Sequence, residues 1–181
     1  MRGVSGVGKS SFIEDNIPDP KAIHSIDDII INALIPNLLG KKDVVAYTET
    51  FMDLVNSHKL LYMVHHKNFD NAKSSMDAGV ENVVIDNVNL NGWESKRYVV
   101  YGIEKGYEVV VHNIPYGDAT AEELVERNIH GIPLEGIQAM MEVFDANPEM
   151  TVEDILAIDD SIIEQSEKQL DEEINSCKHP K

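Results

Sequence analysis

Gly3-Val4-Ser5-Gly6-Val7-Gly8-Lys9-Ser10 matches the pattern G-x-x-x-x-G-K-[ST] at every fixed position. Each residue type follows from the task of holding a polyphosphate. Gly3, Gly6 and Gly8 can take positive φ at low cost, so successive N–H groups can curl into an anion nest. Lys9 brings a point charge to the β- and γ-phosphates, and Ser10 brings a hydroxyl to Mg²⁺. Ser11 to Asn16 opens a helix whose positive end faces the phosphates. The nucleotide-binding set read from this stretch is therefore Gly3 through Ser11. At ordinary glycine usage such a pattern arises by chance in roughly one chain per hundred of this length.

A loop of this kind ordinarily follows a buried central strand. Only Met1 and Arg2 precede it in this sequence. The expectation is a sheet that lacks its first strand, through truncation, a misplaced start or otherwise.

Working outward, strand-like and helix-like stretches alternate. Lys21 to Ser25 reads as a strand, followed by a helix from Ile26 to Leu39 that bends or ends near Pro36. Thr48 to Asp77 carries a 3.6-residue apolar pattern and reads as a helix stopped by Gly79. Its adjacent His65 and His66 cannot share a helix face, which makes them poor joint metal ligands. Glu81 to Asp86 holds the continuous Val83-Val84-Ile85 run of a strand buried on both faces. Trp93 to Lys105 reads as a helix and Tyr107 to Ile114 as a second buried strand. Thr120 with Glu123 forms a capping box before a helix that carries Arg127. Pro133 to Phe144 is a further helix, broken at Asn147-Pro148. Thr151 with Asp154 caps a last amphipathic helix, in which nine acidic residues between Glu153 and Glu173 face one cation, Lys168. The alternation predicts an α/β fold with a parallel sheet. Residues 1–146 form one domain in this reading, and 147–181 an acidic helix and tail that offers a surface to a partner or a second copy.

Composition sets limits. A net charge of −17 argues against broad electrostatic attraction to nucleic acid, though not against a small pocket for one strand end. Cys177 is the only cysteine, so no intrachain disulfide framework exists, and a reducing, cytoplasmic setting fits. No apolar run reaches membrane-helix length, and Lys9 and Glu14 interrupt any signal-peptide core.

Three positions point to phosphoryl transfer. Asp86 ends the clearest strand, where α/β sheets place ligands, and is a candidate to orient Mg²⁺ together with Ser10. Asp27 follows the second strand and is a candidate base for a hydroxyl acceptor. Arg127 lies on a late helix, the place of a lid cation that steadies the transferring group. A solvated carboxylate and a surface ion pair are the bland alternatives for Asp27 and Arg127.

Taken in order, the Gly3–Ser10 loop, Ser25-Ile26-Asp27-Asp28, Phe69-x-x-Ala72-Lys73, Val83 to Asn91 and Glu123 to Pro133 resemble the phosphate-loop kinase domain of phage-type polynucleotide 5′-kinases. They are similar too to eukaryotic kinase-like domains, of AAA-type P-loop architecture, that end in Arg-Asn-x-His-Gly. The resemblance covers about residues 1 to 145. It implies a P-loop NTPase-like three-layer fold with a helical lid, ATP (or GTP) and Mg²⁺ as donor and ion, and transfer of the γ-phosphoryl group to a 5′-hydroxyl. It implies Lys9 and Ser10 at the donor, Asp27 as general base, Arg127 as lid arginine and Asp86 as the acidic strand-end residue. It also implies a viral or phage protein working in a host cytoplasm. Two positions depart from the phage pattern. Ile30 stands where those enzymes carry an arginine for the acceptor's phosphate, and a second lid arginine is replaced around His130. The alternatives left open are a nucleoside or small-hydroxyl kinase of the same fold, and a non-catalytic nucleotide-binding interaction protein.

Overall fold

The computed structural model describes residues 1–19, 21–34 and 58–161. Helix α1 spans Lys9–Asn16 and strand β1 Lys21–His24. Helix α2, Ile26–Ile29, runs directly into a π-helical turn, Ile30–Leu34. Helix α3 is described over His58–Asp77, strand β2 over Asn82–Ile85 and helix α4 over Gly92–Glu104. Helices α5, α6 and α7 follow at Ala121–Arg127, Leu134–Ala146 and Val152–Leu156.

The molecule is mixed α/β. Strands β1 and β2 pair in parallel, with Lys21 opposite Asn82 and His24 opposite Ile85. Two residues of the phosphate-loop stretch extend this layer. The Met1 ammonium donates to the Ile85 carbonyl at 2.9 Å, and Gly3 N donates to the Val88 carbonyl at 3.1 Å. On the other side Arg2 N donates to His112 O at 2.9 Å and Ile114 N to Arg2 O at 2.8 Å, a parallel bridge between Arg2 and Asn113. Met1–Gly3 thus lies between β2 and residues 112–114.

The expected strand at Tyr107–Ile114 is corrected here. Among the described residues it pairs through that one bridge, so the run forms no ladder. The expected helix at Ile26–Leu39 is α-helical only to Ile29, and residues 35–39, Pro36 among them, lie outside the described residues. So do the first residues of the predicted Thr48–Asp77 helix and the Lys41-Lys42 loop. The last helix is interrupted after Leu156 and helix resumes at residues 160–161; residues 162–181, with Cys177, lie outside the described residues.

Both capping boxes form as their sequences dictate, Thr120 with Glu123 and Thr151 with Asp154. A third, Asn91 with Glu94, starts α4.

Among the described residues, three apolar clusters join these elements. Val4, Leu90, Ala121, Leu124, Ile137 and Phe144 join the loop to α5 and α6. Ala72, Met76 and Tyr98 join α3 to α4, with Val83 and Ile85 of β2 against them. Val99, Met150 and Ile155 join α4 to α7. Full burial of a side chain such as Leu124 contributes roughly 2 kcal/mol. Lys96 reinforces the α4–α7 contact by donating to the Ile158 carbonyl and to Asp160 at 2.6 Å.

Among the described residues, no helix is long and apolar enough to cross a membrane. The two adjacent histidines pack rather than converge. The ring of His66 lies 4.2 Å from that of Tyr62, and burial, with Arg97 nearby, lowers the His65 pKa to about 4.

Candidate phosphate-binding cleft

The loop owes its shape to its glycines. Gly6 and Gly8 have φ of 82° and 95°, conformations that a side chain strains. Gly6 also has no room for one. A Cβ there would sit 2.5 Å from the Leu124 carbonyl oxygen of α5. Gly3 is similarly enclosed, 2.9 Å from the Ile114 carbonyl oxygen. Backbone packing therefore locks the loop between residues 112–114 and α5.

Arg2 adds a second lock that the motif does not predict. Its side chain is buried, its Nε and one terminal nitrogen donate to the Leu90 carbonyl at 3.2 and 3.1 Å, and the other reaches Asn113 Oδ1 at 3.2 Å. The guanidinium lies 4.7 Å over the Phe144 ring. Asn89 turns the chain after β2 at φ 46° and donates from Nδ2 to the Met1 carbonyl at 2.8 Å. Asparagine tolerates that left-handed conformation better than most residues. Each interaction fixes the loop's entry relative to β2.

A cleft of about 670 Å³ opens beside the loop. Ser5, Gly6, Gly8, Lys9, Ser10 and Ser11 line one wall. Asp27, Asp86, Arg127 and His130 line the same cleft, so all the charged candidates converge there. Gly3 and Val4 lie beneath the loop, and their carbonyls each accept from Lys9 Nζ at 3.2 Å. Val4 is fully buried and serves the core, while Val7 packs towards Gly3.

Ser10 Oγ donates to Asp86 Oδ2 at 3.0 Å, which joins a hydroxyl and a carboxylate 76 residues apart. His130 Nε2 lies 3.4 Å from Asp27 Oδ2. Ser25 caps α2 by accepting from Asp27 N at 3.1 Å, which fixes the direction in which this turn leaves β1. Asn128 Oδ1 accepts from His130 N at 2.9 Å and from Ile132 N at 3.3 Å, which shapes the turn that brings His130 over Asp27. Arg127 is half-exposed, with Glu123 one helical turn back at 3.8 Å. A solvent-exposed i,i+4 pair of that length holds the arginine only weakly.

Burial dominates the electrostatics. It lowers the Lys9 pKa from the ordinary lysine value, and Asp86 and then Asp27 offset part of the fall. It pushes the Asp27 carboxyl up, against the opposing pull of His130 and Lys9, with Asp86 and Asp28 adding to the rise. A carboxyl raised in this way is a better proton acceptor than a solvated one.

Asn87 carries a role that sequence reasoning missed. Its side chain is buried, Oδ1 accepts from Ile26 N at 3.0 Å, and Nδ2 has no partner among the described residues. It ties the end of β2 to the start of α2, the element bearing Asp27. Its place directly after Asp86 was the available signal, but spacing alone could not tell a tether from a turn residue.

Ile30, by contrast, is 1% exposed and belongs to the core. It does not line the cleft.

No family model and no solved structure matches this chain. Over 85 residues it is 34% identical to human NEDD4-binding protein 2, a stretch that covers 46% of this chain and 5% of that protein. The likeness is therefore to a small part of a much longer protein.

Proposed function

We propose that this chain is a P-loop kinase that binds a nucleoside triphosphate on Gly3–Ser11 and transfers its γ-phosphoryl group to a hydroxyl, the favoured acceptor being the 5′-hydroxyl of a polynucleotide. The observation that carries the reading is convergence. Lys9, the Ser10–Asp86 pair, the Asp27–His130 pair and Arg127 come from four separate stretches and line one cleft. A glycine-rich turn without chemical meaning gives no reason for that gathering.

In this reading the loop amides and Lys9 hold the donor's phosphates. Asp27 accepts the acceptor's proton as a new O–P bond forms and the bond to the β-phosphate oxygen breaks. Arg127 swings over the transferring group, where charge spreads onto the equatorial oxygens. Ser10 and Asp86 are the residues that would hold Mg²⁺, and two oxygen donors suit an ion that keeps most of its waters. Bound there, the ion would neutralise phosphate charge. Among the described residues no group of three or more His, Cys, Asp or Glu gathers, so a dense all-protein cage is not what these residues offer. ATP (or GTP) as the donor follows from the resemblance alone.

A second reading, a kinase of a nucleoside or another small hydroxyl compound, draws support from Ile30. The position that would carry an acceptor-phosphate arginine is a buried aliphatic, and the chain's charge is −17. The test is transfer of labelled γ-phosphate from ATP to a panel of 5′-hydroxyl oligonucleotides, nucleosides and small hydroxyl metabolites. Labelled oligonucleotides support the first reading. Labelling of nucleosides alone moves the assignment to the second, and labelling of nothing removes the kinase.

A further inference from the structure

Arg2 stands one residue before Gly3, and its side chain rests on two acceptors, the Leu90 carbonyl and Asn113 Oδ1. Both acceptors lean on one further element, the strap of residues 150–160 that carries α7. Asn113 Nδ2 donates to the Met150 carbonyl at 2.9 Å, where the strap begins. Leu90 leads into α4, whose first residue, Gly92, lies directly under the strap. A Cβ on Gly92 would sit 2.6 Å from Ile158 Cδ1 and 3.1 Å from Met150 Sδ. The far end of the strap is clasped by the buried Lys96 of α4, which donates to the Ile158 carbonyl and to Asp160 Oδ1.

An asparagine amide has one accepting end and one donating end. Asn113 uses both, Oδ1 for Arg2 and Nδ2 for Met150, so the two bonds together fix how the amide is turned. If the Met150 carbonyl shifts, the amide turns with it and Arg2 loses an acceptor. Arg2, Asn113, Met150 and Lys96 do not line the cleft, so whatever they do to a phosphate they do through the loop.

We propose that the strap sets the cleft's affinity for nucleotide from outside it, and that Asn113 is the positioning residue joining strap to loop. This role rests on the loop's binding a nucleotide. A loop whose amides converge before the phosphates arrive binds them without first having to order itself. Only molecules with the loop so arranged bind, so a loosened Arg2 raises the apparent Kd as that fraction falls. Once nucleotide is bound the loop is ordered in either case, and turnover at saturation is unchanged.

The experiment uses the full chain with Asn113→Ala, Lys96→Met and both together. Each single variant should weaken binding of Mg-ATP by about tenfold, measured by calorimetry, and leave kcat at saturating ATP within about twofold of the parent. Without nucleotide, amide exchange at Gly3 and Val7, which donate to Val88 and Val4, should speed up by about tenfold. The double variant should be no worse than the weaker-binding single one, because both break the same connection. Met76→Ala, which softens the α3–α4 cluster instead, is the control for lost stability and should leave ATP affinity within about twofold. Unchanged affinity and exchange in Asn113→Ala and Lys96→Met would overturn the proposal while the parent still binds ATP. Multiplied losses in the double variant would show two separate effects and overturn the connection through Asn113. A tenfold loss in Met76→Ala as well would reduce the strap to general stability. A parent chain that does not bind ATP would instead remove the nucleotide reading itself, and with it the strap's role in affinity.

Discussion

The wall of the cleft assigned to the donor comes almost entirely from one short stretch, residues 3–11, with Asp86 as its distant partner. The wall assigned to the acceptor gathers Asp27, Asn87 and His130 from stretches about 60 and 40 residues apart, estimated from chain positions. The first is a local device. Glycine torsions and backbone contacts set its shape, and little else in the chain can move it. The second depends on how α2 leaves β1 and how the turn after α5 folds back. Local devices survive change in the surrounding chain, whereas gathered ones are where specificity is altered.

The most damaging way to break the comparison is Lys9→Ala. Loss of a charge-assisted contact to phosphate should weaken ATP binding by about 100-fold, and transfer should fall to background. Calorimetric titration with ATP checks it. Unchanged affinity would mean the local wall is not the donor wall.

Next comes Asp27→Asn, which should reduce transfer by about 1,000-fold and leave ATP affinity within about twofold. The two walls then separate cleanly, one governing binding and the other turnover. Stability adds a sign. A carboxyl with a folded pKa above its unfolded value favours folding below the unfolded pKa, and that contribution is lost as pH rises through the folded pKa. Once ionised, Asp27 therefore opposes folding, and Asp27→Asn should not lower Tm at neutral pH. A clear fall in Tm at pH 7 would recast Asp27 as a structural residue.

The legibility of the chain follows the same local-versus-gathered line. The glycine-shaped turn at Gly3–Ser10, β1, β2 and the Thr120 and Thr151 capping boxes could be read directly, because each rests on torsions, runs or spacings within a few residues. The 107–114 strand could not. Its β-branched run signals extended chain, but a ladder needs a neighbour, and among the described residues the run meets one at the Arg2–Asn113 bridge. The interruption of the last helix after Leu156 was hidden for a related reason. The apolar pattern carries on through Ile158, but its carbonyl is taken by Lys96 of α4, a tertiary bond that no periodicity contains. In the cleft, the meeting of Lys9, Ser10 and Asp86 was legible from motif and strand end. Arg2, Asn87 and Asn128 were not, since their work is to tether elements whose meeting only the fold creates.

Arg127→Ala should reduce transfer by about 100-fold with little change in Tm. Its pairing to Glu123 at 3.8 Å on an exposed helix face contributes little to folding, so a purely structural arginine would leave the rate unmoved.

The smallest predicted effect is the most discriminating about the gathered wall. His130 pulls the Asp27 pKa down against the rise that burial causes. His130→Gln removes that pull, so the Asp27 carboxyl should hold its proton to higher pH. The acidic limb of the transfer profile, where the base must lose its proton, should move up by about one unit, equivalent to roughly tenfold less activity on that limb. Well above the limb the variant and the parent should agree within about twofold, since Asp27 is then ionised in both. A residue that merely held the turn after α5 in place would reduce the rate equally at all pH values. A limb that does not move would detach His130 from Asp27, and the acceptor wall would then rest on the carboxylate alone.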